Sequence, residues 1–180
     1  MTDEFKLSVC LEGHNGKDVR CIAPTTDGAF VTGGRDQTMC IWELKGTTYI
    51  PSHQSFQNSW VNAVCALPPI PTALNPALRD VGGVVAGLQD GSIVVHDRQG
   101  KVLYTLAGHT GQVSSLGVTS NGFLVSGSWD GTMRVWDLSK EIAVHTQSEF
   151  ENAVTVLGLP NGDIATGSAG VQTGPSAVGQ

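Results

Sequence analysis

The sequence is poor in charged residues, and in positive charge above all. Only 14% of its 180 residues are charged, and 10 Lys and Arg stand against 16 Asp and Glu, for a formal net charge of −6. A protein that binds nucleic acid normally carries a basic face that neutralises phosphates. The composition therefore argues against a nucleic-acid partner.

Long apolar runs and paired cysteines are also missing. No run approaches the roughly 18 to 20 apolar residues that span a bilayer, and the acidic start Met1–Phe5 lacks the pattern of a secretory signal. The four cysteines stand singly, without a C-x-x-C pair, at positions Cys10, Cys21, Cys40 and Cys65. We therefore expect a soluble, non-secreted protein with no membrane partner, and free thiols rather than disulfides or a metal site.

Glycine, in contrast, is abundant. The chain contains 23 glycines among 180 residues, whereas the usual share is about 7%. Because these glycines follow no collagen-like period, they indicate many tight turns.

Three segments of the chain repeat one pattern, at residues 30–43, 84–97 and 124–137. In each segment a small residue is followed ten positions later by a ring-bearing one: Thr32 and Trp42, Ala86 and His96, Ser126 and Trp136. A fourth copy begins at Ile164–Ser168 and then stops. The small residues, with Thr166 as the fourth, are spaced by 54, 40 and 40 positions. A period of about 40 residues is that of one four-stranded propeller blade.

Each repeat contains short strands separated by turn residues. In the third repeat, strands are predicted at Val113–Val118, Phe123–Ser126, Thr132–Asp137 and Glu141–His145. Asp130-Gly131 supplies the positive backbone angles of a tight hairpin. No segment has a convincing helical period, so the prediction is an all-β fold. A proline-rich insertion at residues 67–82 lengthens the second repeat and explains the spacing of 54.

Two Gly-His pairs, Gly13-His14 and Gly108-His109, are followed about 28 residues later by Trp42-Glu43 and Trp136-Asp137. In these Gly-His pairs and the Trp-acidic pairs that follow them, the chain resembles the WD40 repeat family over residues 5 to 168. The resemblance implies a β-propeller. Propellers close with 4 to 8 blades, and this sequence supplies about three and a half four-stranded blades, an open arc rather than a closed ring. The predicted divisions are a clasp strand at 5–11, blade 1 at 12–51, blade 2 at 56–106, blade 3 at 107–147, half of blade 4 at 150–168 and a tail at 170–180.

The two ends of the sequence carry separate expectations. The resemblance implies that Phe5–Leu11 is the outermost strand of a last blade that this sequence lacks. We interpret Gly170–Gln180 as a disordered, non-homologous tail on a truncated, alternatively spliced or wrongly assembled product. An open arc leaves two blade faces bare, so we expect the chain to associate with itself.

His109, Ser126 and Asp130 allow two interpretations. Their residue types are those of a nucleophilic triad. The WD40 resemblance favours a buried structural tetrad, which joins turn to strands and is completed by Trp136. The first blade has the same set in His14, Thr32, Asp36 and Trp42. We therefore predict a structural role and no catalysis.

The second blade departs from this pattern. It keeps Asp90 but has Gln57, Ala86 and His96 at the other positions, which predicts an incomplete and weaker network. His96 is one ligand type for a metal, but a histidine packed against a neighbouring blade is favoured. The glycine-rich string at residues 167–170 is not followed by the helix of a phosphate-binding loop, so no cofactor is expected.

In the WD40 family, partners contact the face formed by the loops that enter the first strand of each blade and by the hairpin beside the tetrad Asp. Carried over, this predicts nine partner-binding residues: Asp18, Arg20, Arg35, Trp60, Asn62, Gln89, Gln112, Ser114 and Trp129. Trp and Arg are frequent interface hot spots. For Trp60, a side chain folded against the proline-rich insertion remains an equal alternative, whereas Trp129 is predicted to be exposed.

Within the WD40 family, the chain is similar to the phospholipase A-2-activating protein family in the strings Phe5–His14, Leu103–His109 and Leu124–Thr132. This resemblance implies binding of ubiquitin or ubiquitylated proteins, in the cytoplasm and nucleus. It also implies recruitment of the valosin-containing AAA ATPase, but only through regions outside this sequence. The alternative is a generic WD40 scaffold in signalling or RNA processing.

Overall fold

The structure is a computed structural model that describes residues 10–169. Of the predicted clasp strand, only Cys10 and Leu11 fall within this range, and neither is in a strand. The rest of the clasp and the predicted tail at 170–180 lie outside the described residues.

Residues 10–169 form fourteen strands in three four-stranded antiparallel sheets and one two-stranded sheet. Blade 1 contains β1 (Val19–Pro24), β2 (Phe30–Gly34), β3 (Thr38–Lys45) and β4 (Thr48–Phe56). Blade 2 contains β5 (Val61–Leu67), β6 (Gly83–Leu88), β7 (Ile93–Asp97) and β8 (Val102–Leu106). Blade 3 contains β9 (Val113–Val118), β10 (Leu124–Ser128), β11 (Met133–Asp137) and β12 (Ile142–Gln147), and the half blade contains β13 (Val154–Gly158) and β14 (Ile164–Ser168).

In every blade the strands lie in chain order, and the first strand is the innermost. The inner strands β1, β5, β9 and β13 contact one another in succession. The blades therefore stack side by side around one axis. This confirms the predicted all-β propeller architecture of about three and a half blades, in which the described strands form an open arc.

Apolar side chains fill the spaces between blades. Val31 and Met39 of blade 1 pack against Val61 and Val84 of blade 2, and all four are fully buried. Corresponding clusters join blade 2 to blade 3 and blade 3 to the half blade. Because both faces of an internal blade are covered, its strands β6 and β7 are apolar without strict alternation.

Tight hairpins join the second and third strands of each blade. Gly91 and Gly131 have φ of 89° and 75°, as an Asp-Gly turn requires. In blade 1 the same place is taken by Gln37, which adopts φ of 65°. Blade 1 also differs at its edge, because β4 continues to Phe56, beyond the predicted division at residue 51.

The insertion between β5 and β6 contains a helix that the sequence pattern did not predict. A five-residue helix, α1, spans Pro76–Asp80. Asn75 caps it by accepting a hydrogen bond from the Ala77 amide at 3.0 Å, and Pro76 has the φ that a first helical turn needs. Leu78 is fully buried in the core. A helix this short shows no periodicity, so Asn-Pro was its only sequence signal. No helix within residues 10–169 is long and apolar enough to cross a membrane.

Candidate functional site

In blade 1, four side chains form a hydrogen-bonded chain that links the entry loop to β2, to the β2–β3 hairpin and to β3. The indole of Trp42 donates to Thr32 Oγ1 at 2.9 Å, and Thr32 Oγ1 lies 2.7 Å from His14 Nε2. His14 Nδ1 lies 3.0 Å from Asp36 Oδ1. With the proton on Nδ1, every donor meets an acceptor, because the hydroxyl donates to Nε2 and Nδ1–H donates to the carboxylate.

Blade 3 repeats this arrangement. Trp136 donates to Ser126 Oγ at 2.8 Å, Ser126 Oγ lies 2.7 Å from His109 Nε2, and His109 Nδ1 lies 3.0 Å from Asp130 Oδ2. The Asp130 carboxylate also accepts from the amides of Thr110 and Thr132 at 2.9 Å. The chain therefore joins the entry loop, β10, the hairpin and β11.

The two interpretations of His109, Ser126 and Asp130 can be compared in this geometry. The order Asp, His, Ser and the distances fit a triad, in which the base orients and activates a nucleophile. Ser126, however, is fully buried, and its oxygen also accepts the Trp136 hydrogen bond. A buried hydroxyl offers no space for a substrate, so the arrangement fits a structural tetrad and not a reactive centre.

The electrostatics of the tetrad follow from its hydrogen bonds. Burial alone would raise the pKa of Asp130, but hydrogen bonds from Thr132, the Thr110 amide and His109 outweigh it and lower the pKa to about 2. Burial lowers the pKa of His109, and its hydrogen bond to Asp130 offsets this only in part. At neutral pH the pair therefore consists of an ionised carboxylate and a neutral imidazole.

Blade 2 has a different buried contact at the corresponding place. Gln57 lies in the loop after β4, and its Nε2 lies 3.0 Å from His96 Nε2. Both residues are buried, and Ala86 provides no hydroxyl between them. The amide donates and the imidazole accepts, which places the His96 proton on Nδ1. Sequence reasoning identified the three departures but did not find that Gln57 and His96 bind each other directly.

The contact in blade 2 is incomplete in two respects. His96 Nδ1 is buried, with no hydrogen-bond partner among residues 10–169. Asp90 is exposed, and among the described residues it accepts hydrogen bonds from Ser92 alone, from the amide at 3.0 Å and the hydroxyl at 2.6 Å. Burial lowers the pKa of His96 to about 4. The imidazole is therefore neutral at physiological pH, and it does not connect to the hairpin.

Within the described range, no three His, Cys, Asp or Glu residues are close enough together to hold a metal ion. The four cysteines are free thiols; Cys40 is buried, Cys21 and Cys65 are half-buried and Cys10 is exposed. Burial raises the pKa of the Cys65 thiol to about 11.

The predicted partner-binding residues lie where the loops enter the inner strands and where the tight hairpins turn; we call this region the hairpin face. In blade 1, the Arg35 guanidinium lies 3.1 Å from the Asp18 carboxylate. The same guanidinium lies over the Trp60 ring, 4.9 Å from its centroid, so it connects blade 1 to blade 2. Arg20 is exposed on β1.

The position of Trp60 excludes one of its two interpretations, and its partner-binding role stays a prediction. Trp60 lies one residue before β5, whereas the proline-rich insertion begins at the far end of that seven-residue strand. Its ring contacts Arg35 and remains 39% exposed. The alternative in which Trp60 folds against the insertion was therefore wrong.

Three amide side chains form a second group on the hairpin face. Asn62 Nδ2 donates to Gln89 Oε1 at 2.9 Å and to Gln112 Oε1 at 3.3 Å, across the boundary between blades 2 and 3. Ser114 turns to the half blade and donates to the Val154 carbonyl at 2.6 Å. The three amide side chains are held in place by their hydrogen bonds to one another. Trp129, in contrast, is 63% exposed at the tip of the β10–β11 hairpin.

The backbone beneath Trp129 is tightly held. The Trp129 amide donates to the Gln112 carbonyl at 3.0 Å, and the Ser128 hydroxyl donates to the Gly111 carbonyl at 3.0 Å. Asp130, the next residue, belongs to the tetrad. The hairpin therefore presents an exposed indole on a fixed backbone.

Comparison with known proteins agrees with this architecture. Residues 5–43 and 100–137 match the family model described as WD domain, G-beta repeat. The chain is 36% identical to the phospholipase A-2-activating protein of Xenopus laevis, over 73% of this chain and 16% of that protein. It is 28% identical to the ubiquitin homeostasis protein lub1 of Schizosaccharomyces pombe, over 76% of this chain and 18% of that protein.

A second group of relatives carries a different name. The chain is 31% identical to the nuclear distribution protein nudF of Aspergillus niger, over 69% of this chain and 31% of that protein. The chain thus spans less than a third of the length of each of these relatives.

Proposed function

We propose that the hairpin face of this chain binds ubiquitin or ubiquitylated proteins. The chain belongs to the WD40 repeat family and is a protein-interaction domain. The observation that carries this proposal is the exposed indole of Trp129 on a fixed hairpin. A large, rigid side chain buries much apolar area at a small entropic cost, which is why tryptophan dominates many interfaces.

The residues beside Trp129 supply polar contacts. Asn62, Gln89 and Gln112 hold amide groups at the boundary of blades 2 and 3. The backbone carbonyl of Gln112 also accepts a hydrogen bond from the backbone amide of Trp129. The Trp129 indole and the three amide side chains therefore belong to one surface. An aromatic side chain beside polar amide groups is a common composition for a protein-binding surface.

Arg35, Asp18 and Trp60 form the other part of the hairpin face. The Arg35 guanidinium is shared between Asp18 and Trp60, and all three side chains are partly exposed. An exposed ion pair of this kind contributes at most about 1 kcal/mol to folding. A partner can therefore contact these groups without a large loss of stability in the free protein.

The choice of ubiquitin as the partner is supported by the relatives. One of them is named a ubiquitin homeostasis protein. The phospholipase A-2-activating protein matches nearly three quarters of this chain. The nuclear distribution relatives favour the alternative, a scaffold for a different protein.

The test is a titration of isotopically labelled ubiquitin with the purified chain, followed by NMR. Trp129→Ala and Arg35→Ala should each weaken binding by about 1 to 3 kcal/mol and leave the melting temperature nearly unchanged. Leu74→Ala is the matched control, because Leu74 is 79% exposed but lies in the insertion at the opposite ends of the strands. Binding that is equal in all three variants would exclude the hairpin face. No binding by the unaltered chain would leave only the scaffold alternative.

A further inference from the structure

The tight hairpin of each complete blade carries one residue in an equivalent position, just before the hairpin aspartate. These residues are Arg35 in blade 1, Gln89 in blade 2 and Trp129 in blade 3. Their backbones are held alike, because each amide donates to a carbonyl in the entry loop of its own blade at 2.9 to 3.0 Å. The three side chains therefore leave the backbone at the same place on the hairpin face.

In blades 1 and 2, the side chain at this position is joined to the entry loop of the next blade. The residue just before the inner strand of that next blade is Trp60 in the first case and Gln112 in the second. Arg35 stacks on Trp60, 4.9 Å from the ring centroid. Gln89 and Gln112 both accept hydrogen bonds from the amide of Asn62. Each of these hairpin residues thus has a neighbour of matching chemistry.

Trp129 meets a much smaller residue in the corresponding place. The residue just before β13 is Ala153, and its methyl group is too short to cover an indole ring. The loop that holds Ala153 is nonetheless packed on the hairpin, because a methyl group on Gly131 would overlap the Phe150 carbonyl oxygen. The 63% exposure of the indole therefore arises from a small residue in an adjoining loop that lies within the described part of the chain.

The exposed charge beside the Trp129 hairpin is negative. Glu149 and Glu151 lie on the adjoining loop; both are exposed, and neither forms an ion pair with another described residue. No Lys or Arg occurs in the hairpin or in the two loops beside it, residues 107–112, 128–132 and 148–153. The guanidinium of Arg134, on β11, lies beside Gly108 and the tetrad indole. The surroundings of the open indole therefore favour a positively charged group.

We propose that Trp129 binds an arginine side chain of the partner, with the guanidinium stacked on the indole as Arg35 is stacked on Trp60 within the chain. The face of an indole attracts a cation, and the planar guanidinium stacks on it. The carboxylates of Glu149 and Glu151 on the adjoining loop favour the same charge. This inference rests on the proposed function only in taking the hairpin face as the binding surface, and it names the chemical group that this surface selects.

The first experiment uses a tetra-arginine peptide as the probe and follows the four indole N–H signals of the isotopically labelled chain by NMR. The signal of Trp129 is assigned by its absence from the spectrum of Trp129→Phe. It should move as the peptide is added, whereas the signal of Trp60 should move little, because Arg35 already covers that ring. A tetra-citrulline peptide is the matched control, since citrulline replaces the guanidinium by a neutral urea of similar shape, and it should leave Trp129 unmoved.

Substitutions separate a cation site from a merely apolar contact. Trp129→Leu keeps a large apolar side chain without an aromatic face, so in calorimetric titration it should weaken tetra-arginine binding at least about threefold. Trp129→Phe keeps a ring with a weaker attraction for cations and should lie between the two. Because the side chain is exposed, the melting temperature should stay nearly unchanged in both variants.

The adjoining carboxylates are tested in the same titration. Glu149→Gln combined with Glu151→Gln should weaken tetra-arginine binding about threefold and make it less sensitive to salt. Glu141→Gln is the control, because Glu141 is exposed on the β11–β12 turn at the opposite ends of the strands. It should bind the peptide nearly as the unaltered chain does.

An unmoved Trp129 signal, or an equal movement with tetra-citrulline, would overturn the proposal. So would tetra-arginine binding that Trp129→Leu leaves unchanged, or that Glu141→Gln weakens as much as the double substitution does. The ubiquitin titration is interpreted separately. Tetra-arginine binding at Trp129 without ubiquitin binding would reject ubiquitin as the partner and support this site. Ubiquitin binding that Trp129→Leu leaves unchanged would overturn the arginine contact and leave ubiquitin as the partner.

Discussion

Blades 2 and 3 have the same strand order but contain different buried hydrogen bonds. In blade 3, the Ser126 hydroxyl joins Trp136 to His109, and Asp130 continues the chain to the hairpin. In blade 2, a single contact between Gln57 and His96 takes this place. Blade 2 therefore keeps the blade architecture without a complete tetrad, through one buried contact between different side chains.

The two hydrogen-bond networks differ in how many segments of the chain they connect. The tetrad connects four segments of blade 3, whereas the pair in blade 2 connects the loop after β4 to β7 and leaves His96 Nδ1 without a partner. Neighbouring blades on both sides cover blade 2, which keeps His96 fully buried despite the weaker network. Packing between blades therefore stabilises the part of blade 2 around His96, where the hydrogen bonds are incomplete.

The largest expected effect is the loss of the tetrad tryptophan. Trp136→Ala removes a fully buried indole and its hydrogen bond to Ser126. It should lower the free energy of unfolding by about 3 to 5 kcal/mol. His96→Ala should cost less, because the ring is smaller and has one hydrogen bond. Urea denaturation of both variants provides the measurement, and the opposite ranking would contradict the assignment of these positions to equivalent sites.

The second prediction concerns the hydroxyl at the centre of the tetrad. Ser126→Ala leaves the Trp136 indole without an acceptor and His109 Nε2 without a donor, which should cost about 2 to 3 kcal/mol. Ser139→Ala is the control, because that hydroxyl bonds only Asp137 in a turn that is partly exposed. Its cost should stay below about 1 kcal/mol. Equal midpoints in thermal denaturation would show that the tetrad bonds contribute little.

The third prediction compares the hairpin aspartates of the two blades. Asp130→Ala removes an acceptor for His109, Thr110 and Thr132 and should destabilise the chain by about 2 kcal/mol. Asp90→Ala removes only the contact with Ser92, so its cost should be about 0.5 to 1 kcal/mol. Hydrogen exchange of the two hairpins would locate the effects, with faster exchange expected beside residue 130. Similar exchange in both variants would mean that Asp130 acts only as a turn residue.

The smallest predicted effect is a dependence on pH that arises in blade 2. The pKa of His96 is about 4 in the folded chain, below the 6.5 of an unfolded histidine, so the unfolded state binds more protons. Stability should therefore fall as pH drops from about 6.5 to 4, by about 1 to 2 kcal/mol at pH 5 from His96 alone. His96→Gln retains a partner for Gln57 but cannot titrate. A variant that loses as much stability as the unaltered chain between pH 7 and 5 would exclude His96 as the source.

The sequence predicted the repeating parts of the fold well. Strand β9 was predicted with its observed bounds, and β12 was predicted within two residues at its end. These elements are recognisable because turn residues and apolar alternation are local properties of the chain. The helix α1 was missed because five residues are too few for a period, and its burial comes from Leu78, which packs in the core.

The candidate site could be predicted only in part. The residue types of the tetrads and of the hairpin face follow from the repeat, and the structure brings His14, Thr32, Asp36 and Trp42 together across 28 positions of the chain. The roles of the nine partner-binding residues stay predictions. The exposure of Trp129 was predicted from its place in the hairpin, whereas the contact of Trp60 with Arg35 could not be predicted because it joins two blades.

What the sequence by itself determined is the blade: a repeated order of strands, tight turns and small residues that each segment encodes within about 40 positions. What only the tertiary structure decided are the contacts between distant segments: Gln57 with His96 within blade 2, and Arg35 with Trp60 and Gly33 with Val61 between blades 1 and 2. The physical reason is that turns and strand alternation depend on neighbours in the chain. Contacts between side chains of different segments depend instead on how those segments pack, and a local sequence pattern does not predict that packing.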